Sequence, residues 1–203
     1  MGNPGTGKTT IARMLGDIFY AMGILPSGHV VEVDRAALVG EYVGQTAQKT
    51  EKKINEAIGG VLFIDEAYTL VKQGASNDFG QEAIDILLKR MEDRKGEFVV
   101  IVAGYPDEMN LFLNSNPGLK SRFTHTFVFE DYSPDELIEI FEKMIIKEDY
   151  VITENAKEIL KKELINIYRK RDKSFGNARL IKRLYENCKI NLSKICLQLK
   201  EEE

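Results

Sequence analysis

The sequence predicts an α/β protein: a parallel sheet covered by helices on both faces, followed by a small helical region. Three observations predict it. Short apolar runs alternate with helix-period segments as far as residue 131. One of those runs, Gly60 to Ile64, is apolar throughout and ends on Asp65 and Glu66, the pattern of a strand buried on both faces. After Ser133-Pro134 the apolar spacing is helical almost without interruption.

Taken in order, Ile11, Met14, Leu15, Ile18 and Phe19 recur at helical spacing and predict a helix over Thr9–Met22. His29–Val33 reads as a strand and Ala47–Ile58 as a polar-faced helix. Gly60–Ile64 is the buried strand. Phe79–Glu92 reads as an amphipathic helix, Glu97–Ala103 as a second buried strand and Thr124–Glu130 as a third. Ser133 is a candidate N-cap, with Pro134 at the first helical position and Glu136 completing a capping box. Leu137, Ile138, Phe141, Met144 and Ile145 then share one face. Two further helices are expected over about Glu154–Tyr168 and about Asn177–Leu199. The expected division is a core over 1–131 and a helical lid over 132–203, ending in the acidic Glu201–Glu203.

The 203 residues, 43% hydrophobic and 30% charged, suffice for one domain and a small appendage. A net charge of −4 argues against a dedicated nucleic-acid surface. No run of 18 apolar residues exists, so no membrane-spanning helix is expected, and the first residues do not form a secretory leader. A cytoplasmic location follows as the expectation. Cys188 and Cys196 are about 12 Å apart along one helix, too far for a disulfide within it, and are expected to be reduced and semi-buried. His29 and His125 stand singly, without metal-ligand spacing, and read as structural. Lys161-Lys162 and Arg169-Lys170-Arg171 read as a solvated basic face.

The chemistry is concentrated at the start of the chain. Gly2-Asn3-Pro4-Gly5-Thr6-Gly7-Lys8-Thr9 fits the phosphate-loop pattern G-x-x-x-x-G-K-[ST]. Its glycines let successive N–H groups turn toward phosphate oxygens, and the following helix adds its positive end. The candidate nucleotide-binding residues are therefore Gly2 to Thr9 and the adjoining Thr10. Lys8 is placed on the β- and γ-phosphates and Thr9 on Mg²⁺. A buried strand ending in acid is costly without a cation. Asp65 is accordingly the second candidate Mg²⁺ ligand, and Glu66 the candidate group that orients and activates the attacking water.

Two later stretches narrow the class. Asn116-Pro117-Gly118-Leu119-Lys120-Ser121-Arg122-Phe123 precedes the last expected strand, and Gly176-Asn177-Ala178-Arg179 opens the last helix. This order of motifs resembles the AAA+ ATPases, a P-loop NTPase family. Leu38-Val39-Gly40-Glu41-Tyr42-Val43-Gly44-Gln45-Thr46, Ala103-Gly104-Tyr105, Ser115-Asn116-Pro117-Gly118 and Phe175-Gly176-Asn177-Ala178-Arg179 are similar to the group containing stage V sporulation protein K and red-type Rubisco activase. The resemblance covers nearly the whole chain. It implies an ATP- and Mg²⁺-dependent ATPase that assembles as a homo-oligomer, a hexamer, and acts on a protein substrate. Arg122 matches the arginine finger offered to a neighbouring subunit, and Arg179 the sensor-2 arginine of the lid. Tyr42, Val43 and Gly44 match an aromatic pore loop that grips polypeptide. The alternative for Tyr42 is a buried tyrosine in an ordinary turn.

Two features depart from that pattern. Where many family members carry a polar sensor-1 residue, this chain has Gly104-Tyr105-Pro106, leaving Tyr105 or Asn110 as neighbours of the position. A strand is expected before a phosphate loop, yet only Met1 precedes Gly2. The fold is therefore expected to lack its first strand, and the chain to be an N-terminally truncated part of a longer protein with poor stability or weak activity. A nucleotide-dependent scaffold that does not hydrolyse, or an inactive fragment, is the alternative function. A DNA motor is a third reading, disfavoured by the acidic charge and the aromatic pore loop.

Overall fold

A computed structural model describes residues 1–71 and 79–201, with side chains to Gln198. Glu202 and Glu203 of the expected acidic tail lie outside the described residues. The chain divides into two compact units. The first comprises residues 1–2 and 7–128; the second comprises residues 3–6 with 129–203.

The first unit is built on a parallel three-stranded sheet, β1 (Val30–Val33), β2 (Val61–Ile64) and β3 (Val99–Val102), in the order β1-β2-β3. Val30 pairs with Val61, and Val61 with Val99, so the strands run in step. The central β2 is buried along its whole length, as its continuous apolar run requires. Successive side chains of a strand point to opposite faces. Leu62 and Ile64 accordingly join one core with Ile54, Ala57, Ile84, Leu87, Met109 and Phe112, while Phe63 packs with Ala12 and Ala103 in another. Both faces of the sheet are covered.

The covering helices are α1 (Lys8–Ala21), α2 (Arg35–Leu38), α3 (Gln45–Ala57), α4 (Gly80–Asp93), α5 (Pro106–Asn114) and α6 (Pro117–Arg122), with a 3₁₀ turn over Ala67–Leu70. Their starts have local causes. The Asp34 carboxylate accepts from the Ala37 N–H at 3.0 Å and opens α2. Asn116 accepts from the Gly118 N–H at 2.8 Å and, with Pro117 at the first position, opens α6.

Thr124–Glu130 is not the buried strand expected of it. Residues 124–128 have no regular structure, Phe129 makes only an isolated bridge, and Phe127 and Val128 are 62% and 67% exposed. A strand needs a hydrogen-bonded neighbour about 4.8 Å away. Among the described residues no strand flanks β3 on the side away from β2. For the same reason β3 is half-buried rather than buried.

The second unit holds α7 (Pro134–Ile146), α8 (Glu154–Arg169) and α9 (Ala178–Glu201). The capping box at Ser133 forms in both directions: the Ser133 hydroxyl oxygen accepts from the Glu136 N–H, and Glu136 accepts from the Ser133 N–H at 2.8 Å. Leu137, Ile138, Phe141 and Ile145 face a core completed by Leu164, Phe175, Ile181 and Tyr185, with Met144 at its edge. The Phe141 and Tyr185 rings meet edge to face at 6.2 Å. A cleft of about 540 Å³ opens beside this core, lined by Phe141, Ile145, Ile159, Leu160, Leu184 and Leu192 among others.

Cys188 and Cys196 are free, and both are exposed rather than semi-buried; Cys188 stands on the rim of the cleft beside the core. The basic spots are only partly a solvated face. Lys161 pairs with Asp135 at 2.7 Å, and Arg171 pairs with Asp131 at 3.2 Å while its guanidinium lies 3.7 Å over the Tyr168 ring. His29 is tied to Ser27 Oγ and to the Glu56 carbonyl, each at 2.9 Å. Among the described residues no helix is long and apolar enough to cross a membrane.

Candidate nucleotide site

In the first unit the loop ends by starting α1. Gly7 has φ +92°, a left-handed conformation, and caps α1 without a side-chain bond. Lys8, Thr9 and Thr10 form the first turn, which carries no acidic residue. The N–H groups of such a turn have no intrahelical partner, and here no capping side chain meets them. With the helix dipole they make an anion-binding end. The Lys8 ammonium donates to the Gly2 carbonyl at 2.7 Å, and the Gly2 N–H donates to Gly104 O at 3.1 Å, just beyond β3.

Asp65 and Glu66 follow directly on β2, whose parallel register carries them to the sheet's C-terminal edge. The Asp65 N–H still belongs to the ladder, donating to Val33 O at 2.9 Å. Glu66 leaves it in a left-handed conformation, φ +51°, a costly state for a side chain of its length. Surrounding bonds impose it. The Glu66 N–H donates to Asp65 Oδ1 at 3.1 Å, the Ala67 N–H to Ala103 O at 3.0 Å, and the Thr69 hydroxyl and N–H to Glu66 O at 2.7 and 2.8 Å. The 3₁₀ turn so formed brings the Tyr68 hydroxyl onto Glu66 Oε2, to which it donates. Burial, then the bond to Glu66 and its charge, push the Tyr68 hydroxyl above the ordinary tyrosine range; Tyr105 and Glu108 add smaller effects. Tyr68 was not legible as a site residue. Its only signal is a phenol two residues after the acid.

Tyr105 lies beside this group, its ring 6.1 Å from that of Tyr68. Asn110 is exposed on α5, its carbonyl accepting from Asn114. Arg122 ends α6. Its Nη2 meets Glu92 Oε2 at 3.1 Å, while its Nε is buried without a partner. Tyr42 and Val43 are 68% and 87% exposed in a bend closed by Gly44, φ +82°, which precedes α3; Tyr42 is not a buried turn tyrosine.

The rest of the loop, Asn3 to Thr6, belongs to the second unit and is stitched to the start of α9. Asn177 is fully buried in a left-handed conformation, φ +47°. Its amide nitrogen donates to Pro4 O at 3.2 Å, Asp131 Oδ1 at 2.8 Å and Phe175 O at 3.1 Å, and its oxygen accepts from the Tyr132 N–H at 2.9 Å. Asp131 Oδ1 also accepts from Asn3 Nδ2 at 2.9 Å. The Ala178 N–H donates to Gly5 O at 3.2 Å, and the Tyr132 hydroxyl to Thr6 O at 3.3 Å. Thr6 is buried, with its hydroxyl on Asn3 O at 2.8 Å. Gly5 has φ +72°, and a Cβ there would stand 2.2 Å from Gly176 O, so only glycine fits. Arg179 is exposed in the first turn of α9 and makes no ion pair among the described residues. Asp131 and Asn177 organise this region, and sequence reasoning assigned them no role.

These residues fit a nucleotide and a divalent cation. The uncapped first turn suits phosphate. Among the described residues there is no cluster of three or more acidic, histidine or cysteine ligands. Asp65, directly after β2, offers one carboxylate, and Mg²⁺ is usually held by one or two carboxylates plus phosphate oxygens.

Comparisons with known proteins bear on the fold and the family. Residues 1–131 match the family model "ATPase family associated with various cellular activities (AAA)", and residues 133–202 match an AAA lid domain. Stage V sporulation protein K of Bacillus subtilis (strain 168) is 48% identical over 186 residues, 91% of this chain and 58% of the relative. Ribulose bisphosphate carboxylase/oxygenase activase, chloroplastic, of Cyanidioschyzon merolae is 43% identical over 190 residues, 93% of this chain and 64% of the relative. Protein CbbX of Cereibacter sphaeroides is 44% identical over 189 residues, 93% and 60%. The chain thus spans about three fifths of the length of the curated relatives it matches. The FIGL-1 AAA domain, solved in complex with ADP, shares the fold with a TM-score of 0.53 at 18% identity, over 79% of this chain and 52% of that one. The chain belongs to the AAA family of ATPases, in the group that contains stage V sporulation protein K and Rubisco activase.

Proposed function

We propose that this chain is the ATP-hydrolysing part of a protein remodeller that works as a homo-oligomeric ring, a hexamer, with a nucleotide-binding core over 1–131 and a lid over 132–203. The observation that carries the reading is the uncapped first turn of α1 with Lys8, in a chain whose central strand ends on Asp65 and Glu66. The N–H groups of the loop cradle the phosphates. Lys8 exchanges the Gly2 carbonyl for phosphate oxygens, and Thr9 and Asp65 hold Mg²⁺. When bound, the cation neutralises charge on the β- and γ-phosphates. Glu66 accepts a hydrogen bond from the attacking water and aligns it.

Arg122 acts on the neighbouring subunit's site, where arginine fingers contribute about 10³ to 10⁵ in rate. It must first leave Glu92. That is cheap, since Glu92 is 70% exposed and such pairs contribute roughly 0–1 kcal/mol. Arg179 senses the γ-phosphate. Tyr42 and Val43, exposed and followed by a left-handed glycine, are the contact to a protein substrate.

Glu66→Gln tests the reading. It is expected to bind ATP as the parent does while turnover falls by about 10²-fold or more. Unchanged turnover rejects Glu66 as the water-orienting group. A non-hydrolysing nucleotide-dependent scaffold is the second reading, favoured by the bond from Tyr68 that occupies Glu66. Phosphate release by the parent chain separates the two.

A further inference from the structure

We propose that Glu41 makes the exposed loop before α3 selective for cationic polypeptide, so that a ring of these loops takes segments rich in lysine or arginine and turns away acidic ones. The proposal rests on Tyr42 and Val43 being the contact to a protein substrate.

The loop is a tip on a fixed base. Thr46 and Thr50, both buried in α3, hold the chain that precedes it: the Gly40 N–H donates to Thr46 Oγ1 at 2.9 Å, and the Thr50 hydroxyl donates to Leu38 O at 3.0 Å. Gly40 packs so closely on α3 that a Cβ there would stand 2.4 Å from Gln45 Cβ. The Gln45 N–H donates to Tyr42 O at 3.2 Å and closes the bend from the other side. Between these anchors Glu41, Tyr42, Val43 and Gly44 are all exposed. The bonds that hold the tip leave its side chains free for a ligand.

The charge of the tip is one-sided. Among the described residues the Glu41 carboxylate has no hydrogen-bond or ion-pair partner. The cations of α2 and α3 are engaged elsewhere or distant. Arg35 donates to Thr69 O at 2.6 Å. Lys49 donates to Ala36 O at 3.4 Å and Val39 O at 3.2 Å, satisfying carbonyls at the end of α2. Lys53 pairs with Glu56 at 2.6 Å. Lys52 lies two turns of α3 beyond Gln45, about 10 Å of helix. That is comparable to the screening length in physiological salt. A lysine or arginine of a bound chain therefore meets two groups that favour it: the unpaired carboxylate, and the face of the Tyr42 ring, which attracts cations. An aspartate or glutamate meets like charge. In the proposed ring each copy adds one Glu41, and the preference sums over the loops that touch the chain.

Fluorescent peptides of equal length and equal leucine content, with lysines, glutamates or glutamines at the remaining positions, test this by anisotropy in the presence of a slowly hydrolysed ATP analogue and Mg²⁺. The parent is expected to bind the lysine peptide about tenfold more tightly than the glutamate peptide, the scale of a few exposed ion pairs acting together. Glu41→Gln should bring that ratio toward unity and Glu41→Lys should invert it. In the parent the ratio should shrink as salt rises. A ratio indifferent to both substitutions overturns the proposal. Tyr42→Ala separates this outcome from failure of the reading beneath it. If Tyr42→Ala loses affinity for all three peptides while the ratio ignores Glu41, charge selectivity falls and the loop remains the contact. If Tyr42→Ala binds all three as the parent does, or the parent binds none, the loop itself is rejected and the proposal with it.

Discussion

Asn177 shows how much can rest on one side chain. It is fully buried, left-handed, and joins Tyr132, Asp131, Phe175 and Pro4 through a single amide. Asn177→Ala removes one buried and three part-buried hydrogen bonds and keeps the unfavourable backbone. A loss of about 2–4 kcal/mol is expected, read by urea unfolding; a change within about 0.5 kcal/mol, the scale of an ordinary surface substitution, would contradict the hub role. Residues of this kind were the least legible in the sequence. Lys8, Asp65 and Glu66 declare themselves because phosphate chemistry fixes their spacing from glycine or from a buried strand. Asn177 and Asp131 act on partners over a hundred residues away in the chain, and Tyr68 depends on a left-handed glutamate. Nothing local announces either.

Among elements, the long helices and the strands β1, β2 and β3 were readable from apolar period, and the Ser133–Glu136 capping box was readable from four residues. Ser133→Ala is expected to cost about 1 kcal/mol of stability, as N-cap loss usually does. The box also sets a pH dependence. The backbone N–H and the hydroxyl of Ser133 hold the Glu136 carboxyl below its ordinary value of 4.5. A group with a depressed folded pKa stabilises above its unfolded pKa and loses that contribution as pH falls through the folded value. The melting-temperature gap between parent and Glu136→Gln should therefore be present near neutrality and close on acidification below the glutamate range. A gap that widens in acid would contradict this. The short helices α2, α5 and α6 were missed because they are too brief for period to show, although Asp34, Pro106 and Asn116-Pro117 marked their starts. Thr124–Glu130 failed for the opposite reason. Its composition suits a strand, but a strand exists only when a neighbour completes its ladder, and composition does not supply one.

At the scale of the whole molecule, the proposed ring gives three side chains a common purpose. Arg122 has a buried Nε without a partner and a weak hold on Glu92, and Tyr42 and Val43 stand in solvent. In the proposed ring each phosphate site is the joint property of two copies: Lys8 from one, Arg122 from the next. Mixing two inactive chains tests this most directly. Lys8→Ala lacks the phosphate lysine and Arg122→Ala lacks the finger, so neither should hydrolyse ATP alone. Mixed, they should regain turnover above the sum of the separate samples, because some neighbouring pairs then combine an intact Lys8 with an intact Arg122. A mixture no more active than that sum would contradict the shared site.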